Sequence, residues 1–198
     1  MHRLLIQFNL IRKKLLLVLS KDFKESIPIE IVSITGGVAA GFILAIGLNL
    51  LELIPSMLIL IPGFLEINGS ISSSLASRLA AGMFLGVVKP NFKTHRILVG
   101  NAIAGIALSL IVSLFLGLLA YFFEFIFFNT LNTKIIFISL LATMISSPIM
   151  ILVTIIFSIW FFRKGYDPNN IMGPYITTLG DIIGIMSLIL ASIVVIFL

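Results

Sequence analysis

The chain has 198 residues, of which 60% are hydrophobic and 11% are charged, and its formal net charge is +5. Soluble domains contain about 25% charged residues, so this composition excludes an ordinary soluble protein and indicates an integral membrane protein. The lack of cysteine excludes disulfides, thiolate metal sites and thiol redox chemistry. Six of the thirteen basic residues lie in the first 24 positions, where membrane orientation explains them better than a nucleic-acid partner, which is not expected.

Residues 1–25 are predicted to form a basic amphipathic helix at the membrane surface. Apolar residues recur at helical spacing from Leu4 to Val18, with basic residues on another side. A secretory signal peptide is a weaker interpretation, because the apolar core is short and charged residues follow it instead of a cleavage site. The rest of the chain, 26–198, is predicted to be one transmembrane domain.

The transmembrane domain is predicted to be all-α, with five spans. Each apolar segment exceeds the ~20 residues that a helix needs to cross a bilayer. The segments lie at about 28–51, 54–88, 97–123, 135–162 and 171–198.

The second segment is predicted to contain a broken helix, since it is too long for one ordinary span and polar and helix-breaking residues interrupt it. Such residues are tolerated at membrane depth where the backbone faces protein or a water-filled cavity. The following stretch, 70–82, is rich in small residues, and its serines at 72, 73, 74 and 77 are interpreted as helix packing. The break is assigned to Pro62, Gly63, Glu66, Asn68 and Gly69.

The distribution of basic residues predicts the orientation. With the amino terminus in the cytoplasm, the inner segments hold eleven basic residues, the outer ones hold only Lys134, and Arg78 lies within the second segment. The prediction is a multi-pass protein of the cell membrane with a cytoplasmic amino terminus and an extracytoplasmic carboxyl terminus. A re-entrant second segment would misplace one basic group, which favours a full crossing.

Asp181 is the acid within the last apolar segment, and it is predicted to lie near the membrane midplane, ~15 Å inside the helix. A carboxylate there costs about 2.5–3.5 kcal/mol on insertion scales. Gly173, Thr177, Gly180 and Gly184 share its helical face, which is therefore narrow, polar and acidic. Asp181 needs either a partner or a function.

The broken second segment reaches a similar depth, so the two regions are expected to meet. Their carboxylates, hydroxyls, amide and backbone carbonyls are an oxygen-only set that suits a hard divalent cation. Mg²⁺ keeps most of its water and binds one or two carboxylates directly. Two copies on a two-fold axis would supply such a pair, so a C2 homodimer surrounded by membrane lipids is predicted. The candidate cation-binding residues are Asp181, Thr177, Thr178, Gly184, Asn68, Gly69, Ser70 and Glu66.

The chain from Phe23 onward resembles a known family. The pairs Asp167-Pro168, Gly173-Pro174 and Thr177-Thr178, followed by Asp181 and Gly184, are similar to the last-helix signature of the MgtE magnesium channel and transporter family and its eukaryotic solute-carrier relatives. The stretch PGFLEINGSISSSLASRL resembles the family's other signature, a Gly-Asn pair before a small-residue helix that ends in Arg. The resemblance implies a homodimer whose second and fifth helices line a Mg²⁺ pathway. It also implies that Asp181 holds the hydrated ion, which is both transported and bound in the pore.

Two features depart from that family. Counting back from Arg78, the family's asparagine position falls on Ser70, whereas this chain has Asn68 just before Gly69, and both are equal candidates. The cytosolic amino-terminal and CBS domains of the longer bacterial members have no counterpart in this sequence, so closure by cytosolic Mg²⁺ through them is not implied. An influence of residues 1–25 on gating is a hypothesis, because in that family the helix before the first span acts near the cytoplasmic mouth of the pore.

Other functions are weaker or stay open. An intramembrane aspartyl protease needs two aspartates and a serine protease needs a base, but the predicted spans hold only Asp181 and no histidine, so no enzyme is predicted. Glu66 is able to titrate, which keeps a Na⁺- or H⁺-coupled carrier open, and pairing of Glu66 with Arg78 is a structural alternative. A non-transporting scaffold would leave the acid and the break without a purpose.

Overall fold

A computed structural model of the chain describes residues 2–90 and 95–197, with side chains within 23–90 and 96–197. The described residues form five α-helices, each long and apolar enough to cross a membrane, which confirms the predicted all-α class with five spans. The protein is therefore a multi-pass membrane protein. The helices are α1 His2–Leu51, α2 Met57–Phe84, α3 His95–Phe128, α4 Lys134–Arg163 and α5 Pro168–Phe197.

The fifth helix connects the two sides of the bundle. It packs against α1, α2 and α4, while α2 also contacts α3 and α4, and α3 packs on α4. α1 packs chiefly on α5, so much of its apolar surface faces outward. Large side chains such as Val38 and Ile111 are 71% and 68% exposed, as expected where the surrounding solvent is hydrocarbon.

Close contact between helices comes from small residues and interhelical hydrogen bonds, since lipid provides little hydrophobic driving force for helix association. At the α3–α4 contact, a Cβ atom on Gly117 would lie 3.1 Å from the Cα atom of Ile136. Nearby, the hydroxyl oxygens of Ser113 and Ser139 lie 2.9 Å apart, and each also donates to the other residue's carbonyl oxygen at 2.8 Å. The backbones of α3 and α4 are thus in close contact.

A buried carboxylate connects two turns at one end of the bundle. Glu124 on α3 is only 1% exposed. Its carboxylate accepts a hydrogen bond of 2.6 Å from Ser56 Oγ, before α2, and one of 3.1 Å from Thr130 Oγ1, before α4. Glu124 therefore fixes the turns that precede α2 and α4 against α3.

The predicted break in the second helix is wrong, because Met57–Phe84 is one continuous α-helix with Pro62 inside it. Its glycines serve close packing instead of interruption. A Cβ atom on Gly63 would lie 2.6 Å from Leu116 of α3, and one on Gly69 would lie 3.3 Å from Thr177 of α5. The glycines thus admit neighbouring helices, and packing on both sides holds the helix together across the proline.

The first helix also runs further than predicted. It continues without a break from His2 through Pro28 to Leu51, so no helix end separates the predicted surface segment from the first span. The amphipathic character assigned to residues 1–25 rests on side chains that are mostly outside the described set, and it stays a prediction. So does the domain division at residue 25.

Candidate cation site

The candidate site lies where α2 crosses α5, and glycines bring the two backbones together there. A Cβ atom on Gly180 would lie 3.5 Å from the backbone nitrogen of Gly69 and 3.6 Å from the carbonyl carbon of Asn68. Asp181 is the fourteenth residue of the 30 in α5, and Ser70 is the fourteenth of the 28 in α2. The crossing is therefore near the middle of both helices, as the sequence predicts.

A polar cavity of about 350 Å³ opens beside this crossing. It contains two carboxylates, from Glu66 on α2 and Asp181 on α5, and hydroxyl groups from both helices. Asp181 is partly buried, whereas Glu66 is exposed on the outer surface of the single chain. We call this space the α2–α5 cavity, and its lining residues are Pro62, Leu65, Glu66, Gly69, Ser70, Ser73, Thr177 and Asp181.

Two of the three hydroxyl groups in the α2–α5 cavity, those of Thr177 and Ser70, present oxygen lone pairs. Thr177 Oγ1 donates its proton to the carbonyl oxygens of Pro174 and Gly173, at 3.0 and 3.2 Å. Ser70 Oγ points its proton toward the carbonyl oxygen of Ile67 at 3.5 Å. A hydroxyl has one proton and two lone pairs, so with the proton directed to the backbone it can act toward the cavity only as an acceptor, which suits a cation or its water shell.

Five of the eight predicted residues line the α2–α5 cavity, and three do not. Thr178 turns toward α1, where its hydroxyl donates to Ser33 Oγ at 2.7 Å. Asn68 is 4% exposed, and its Oδ1 accepts a hydrogen bond of 3.0 Å from Ser146 Oγ on α4. Gly184 packs against Asn68, whose Nδ2 would lie 3.1 Å from a Cβ atom on the glycine. These three residues pack the walls behind the cavity.

The sequence prediction missed Ser73 and Ser146. Ser73 was interpreted as packing, yet it lines the cavity, and its spacing of three and seven residues from Ser70 and Glu66 places it on their helical face. That spacing was the available signal. Ser146 carried no such signal, because its contact with Asn68 joins residues 78 positions apart.

The charge in the cavity is acidic. No basic residue is among the lining residues within the described part of the chain. Arg78 also lies on α2, twelve positions from Glu66 and therefore ~18 Å along the helix, too far for an ion pair within one chain. Its Nε instead donates to the carbonyl oxygen of Ser74 at 3.4 Å. Two like charges in one cavity at mid-membrane depth favour a positive occupant.

The family model MgtE, described as a divalent cation transporter, matches residues 61–191, which is 131 of the 198 residues. The match begins in α2 and ends in α5, so it includes every residue of the candidate site. No curated protein gave a significant match to the chain.

Proposed function

Because the chain belongs to the MgtE family of divalent cation transporters, we propose that it conducts Mg²⁺ across the cell membrane through a homodimeric pore lined by α2 and α5. In each copy, Asp181 holds the hydrated ion. The observation that carries this proposal is that Asp181 and Glu66, on two different helices, line one oxygen-rich cavity at mid-height.

The donor set and the size of the α2–α5 cavity support a hydrated Mg²⁺ ion. Mg²⁺ prefers octahedral oxygen coordination and gives up its water reluctantly, so it binds through one or two carboxylates while keeping several waters. Six waters occupy ~180 Å³ at about 30 Å³ each. The cavity volume of about 350 Å³ accommodates that shell, with Asp181 and Glu66 as direct or water-mediated partners.

A second copy of the chain supplies the missing wall. In a single chain, the outer surface exposes Glu66, Ser70 and Thr177. A charged side chain that faces the bilayer centre costs about 2.5–3.5 kcal/mol even on insertion scales. Pairing two copies across a two-fold axis removes these residues from lipid and brings two Asp181 carboxylates to one pathway, where they balance a divalent charge.

The basic residues support an amino terminus in the cytoplasm. The rings of Phe84 and Phe162 lie 5.1 Å apart, so the ends of α2 and α4 meet at one end of the bundle. Arg163 is the last residue of α4, and Lys89 and Lys164 follow the two helix ends, whereas Lys134 begins α4 at the opposite end. By the positive-inside rule, the end with the three basic residues faces the cytoplasm.

A proton- or sodium-coupled carrier is the second candidate, because two carboxylates share one cavity. Two carboxylates in one site can bind a monovalent coupling ion in place of the divalent ion. Under this alternative, an imposed pH or sodium gradient drives uptake. Under the channel proposal, only the Mg²⁺ gradient and the membrane potential do so.

The experiment that tests the proposal is Mg²⁺ uptake into proteoliposomes, repeated with competing Co²⁺, Mn²⁺ and Ca²⁺ and with imposed pH and sodium gradients. The proposal predicts uptake that Mg²⁺ saturates, that Asp181→Asn impairs, and that the gradients leave unchanged. Uptake no greater than in protein-free vesicles would refute transport, and selective Co²⁺ or Mn²⁺ uptake would refute the assignment of the ion.

Crosslinking tests the dimer separately. The chain has no cysteine, so single-cysteine variants can be made without first replacing native cysteines. Thr177→Cys on the open side of the cavity should crosslink two copies through a short reagent, whereas Ile111→Cys, exposed on α3, should not. Crosslinking through Ile111 and not Thr177 would mean that a different face forms the dimer.

A further inference from the structure

A second groove, unrelated to the cation site, runs along α1 where it meets α5 and the end of α4. It begins as a cavity of about 610 Å³ between Lys24 on α1 and Tyr166 after α4. A neighbouring cavity of about 330 Å³ reaches Gly36 and Thr178, and Val32 lines both spaces. We call the two together the α1 groove.

The α1 groove has the length of one lipid leaflet. Lys24 and Gly36 are twelve residues apart on α1, which corresponds to ~18 Å along the helix. Half of a hydrocarbon core of ~30 Å is about 15 Å. The groove thus extends from the membrane surface, at Lys24, to a depth near the end of an acyl chain, at Gly36.

The walls of the α1 groove suit an acyl chain. In the wider part they come mainly from Pro28, Ile29, Phe161 and Ile171. The two threonine hydroxyls of the deeper part donate their protons within the protein. Thr35 Oγ1 donates to the carbonyl oxygen of Val32 at 2.8 Å, and Thr178 Oγ1 donates to Ser33 Oγ at 2.7 Å. Neither threonine therefore requires a hydrogen-bonding group on the occupant of this part.

The mouth of the α1 groove is basic. Lys24 lines it and is exposed, and the turn between Phe161 and Tyr166, two lining residues, carries Arg163 and Lys164. Lys164 Nζ lies 6.0 Å from the centre of the Trp160 ring. Within the described residues, no hydrogen bond or ion pair engages the charged groups of Lys24 or Arg163.

The two acids at this mouth already accept hydrogen bonds. Asp167 Oδ1 accepts them from the backbone N–H and the side-chain amide of Asn169, at 2.8 and 2.9 Å. Glu25 accepts one of 3.5 Å from the side-chain amide of Asn170. Both carboxylates are directed to the first turn of α5 but keep their charge. Because the three basic residues Lys24, Arg163 and Lys164 outnumber the two acids, the mouth has a net positive charge.

We propose that the α1 groove binds an anionic phospholipid, with one acyl chain along α1 and the head group at Lys24. Basic pockets between transmembrane helices are suited to anionic head groups, and each Lys or Arg near the surface contributes ~1 kcal/mol. The length of an acyl chain matches that of the groove, and its apolar character matches the walls. The negative charge of the head group matches the basic mouth. This binding does not depend on cation transport.

The single tryptophan offers a direct probe. Trp160 is the chain's only tryptophan, and its ring lies 4.8 Å from that of Phe161, which lines the groove. The protein is reconstituted in phosphatidylcholine bilayers that contain increasing fractions of brominated phosphatidylglycerol or brominated phosphatidylcholine. Trp160 is itself 47% exposed, so bulk lipid also quenches it, and the difference between the two brominated lipids reports the preference at the groove. Phosphatidylglycerol should quench at a clearly lower mole fraction than phosphatidylcholine.

Two variants test the head-group and chain positions, each with a matched control. Lys24→Gln should reduce the preference for phosphatidylglycerol about fivefold, the equivalent of ~1 kcal/mol for one basic residue, whereas Lys134→Gln at the opposite end should not. Val32→Phe should lower quenching by obstructing the groove, whereas Val38→Phe, on the exposed side of the same helix, should not.

The result that would overturn the proposal is equal quenching by the two lipids, or a preference that survives both Lys24→Gln and Val32→Phe. A Val32→Cys variant adds a second criterion. If it forms a disulfide between two copies in the bilayer, a second chain covers the groove and the lipid assignment is wrong. If no disulfide forms under oxidation while phosphatidylglycerol preferentially quenches Trp160, the assignment holds.

Discussion

Ser146 Oγ on α4 donates a hydrogen bond of 3.0 Å to Asn68 Oδ1 on α2. This bond directs the amide oxygen of Asn68 away from the α2–α5 cavity, while Ser70 lines the cavity itself. The sequence left Asn68 and Ser70 as equal candidates for an ion ligand. The geometry favours Ser70, with Asn68 packing α2 against α4 and α5.

The two roles predict different defects. Asn68→Ala should lower thermal stability, because hydrogen bonds between membrane helices are worth ~0.6 kcal/mol on average and up to about 1.7, and should leave the Mg²⁺ concentration for half-maximal uptake nearly unchanged. Ser70→Ala should raise that concentration and leave stability unchanged. Thermal unfolding in detergent measures stability, and uptake in proteoliposomes measures the Mg²⁺ concentration for half-maximal uptake. The opposite pattern would mean that Asn68, and not Ser70, is the ion ligand.

Replacement of Glu66 should weaken transport. Glu66→Gln keeps the size of the side chain but removes one of the two charges in the α2–α5 cavity. We expect Mg²⁺ uptake to fall about tenfold, equivalent to ~1.4 kcal/mol. Glu30→Gln, at an exposed position on α1, is the control. If Glu66→Gln abolished a dependence on an imposed pH gradient, the coupled-carrier alternative would replace the channel.

The α3–α4 contact should be sensitive to one methyl group. Gly117→Ala would place a Cβ atom 3.1 Å from the Cα atom of Ile136 and 3.2 Å from Ser139 Cβ. Because the nearer neighbour is backbone, the helices must separate, and overpacking of this kind costs about 1–3 kcal/mol. Gly100→Ala, on the same helix with nothing within 4 Å, should be neutral or gain up to ~1 kcal/mol of helix propensity. Equal melting temperatures for the two variants would argue against this packing.

Glu124 should matter for stability more than its position near a helix end suggests. Glu124→Leu would remove the acceptor of Ser56 Oγ, a residue with no exposed surface. Leaving such a hydroxyl unsatisfied costs about 1–3 kcal/mol. Glu52→Leu, at an exposed position, should change thermal unfolding little. A Glu124→Leu variant as stable as wild type would mean that water or lipid satisfies Ser56.

The spans and the acid were predictable because each depends on signals along the chain. A long apolar run indicates a helix that crosses a membrane, and Asp181 stands out as a charge within such a run. The predicted break in the middle of α2 is wrong because glycine and proline occur both where a helix is interrupted and where helices pack closely. Gly63 and Gly69 admit a neighbouring helix in this fold, and only the position of that neighbour distinguishes close packing from a break.

The division of the candidate residues between cavity and packing depends on which helix each face contacts. Thr177 and Thr178 are adjacent in sequence but ~100° apart around the helix. One therefore lines the α2–α5 cavity, while the other donates to Ser33 on α1. Similarly, the hydrogen bond from Ser146 on α4 fixes the direction of the Asn68 side chain. Such contacts come from the assembled bundle and leave no pattern in the sequence.

The role of Asp181 is tested most directly by comparing it with Asp167, the aspartate just before α5, in the same uptake assay. Asp181→Asn removes the carboxylate from the α2–α5 cavity, whereas Asp167→Asn changes a carboxylate just before α5 that accepts hydrogen bonds from Asn169 outside the cavity. We expect Asp181→Asn to fold and reconstitute normally but to lose most Mg²⁺ uptake, and Asp167→Asn to retain it. Normal Mg²⁺ uptake by Asp181→Asn would contradict the account.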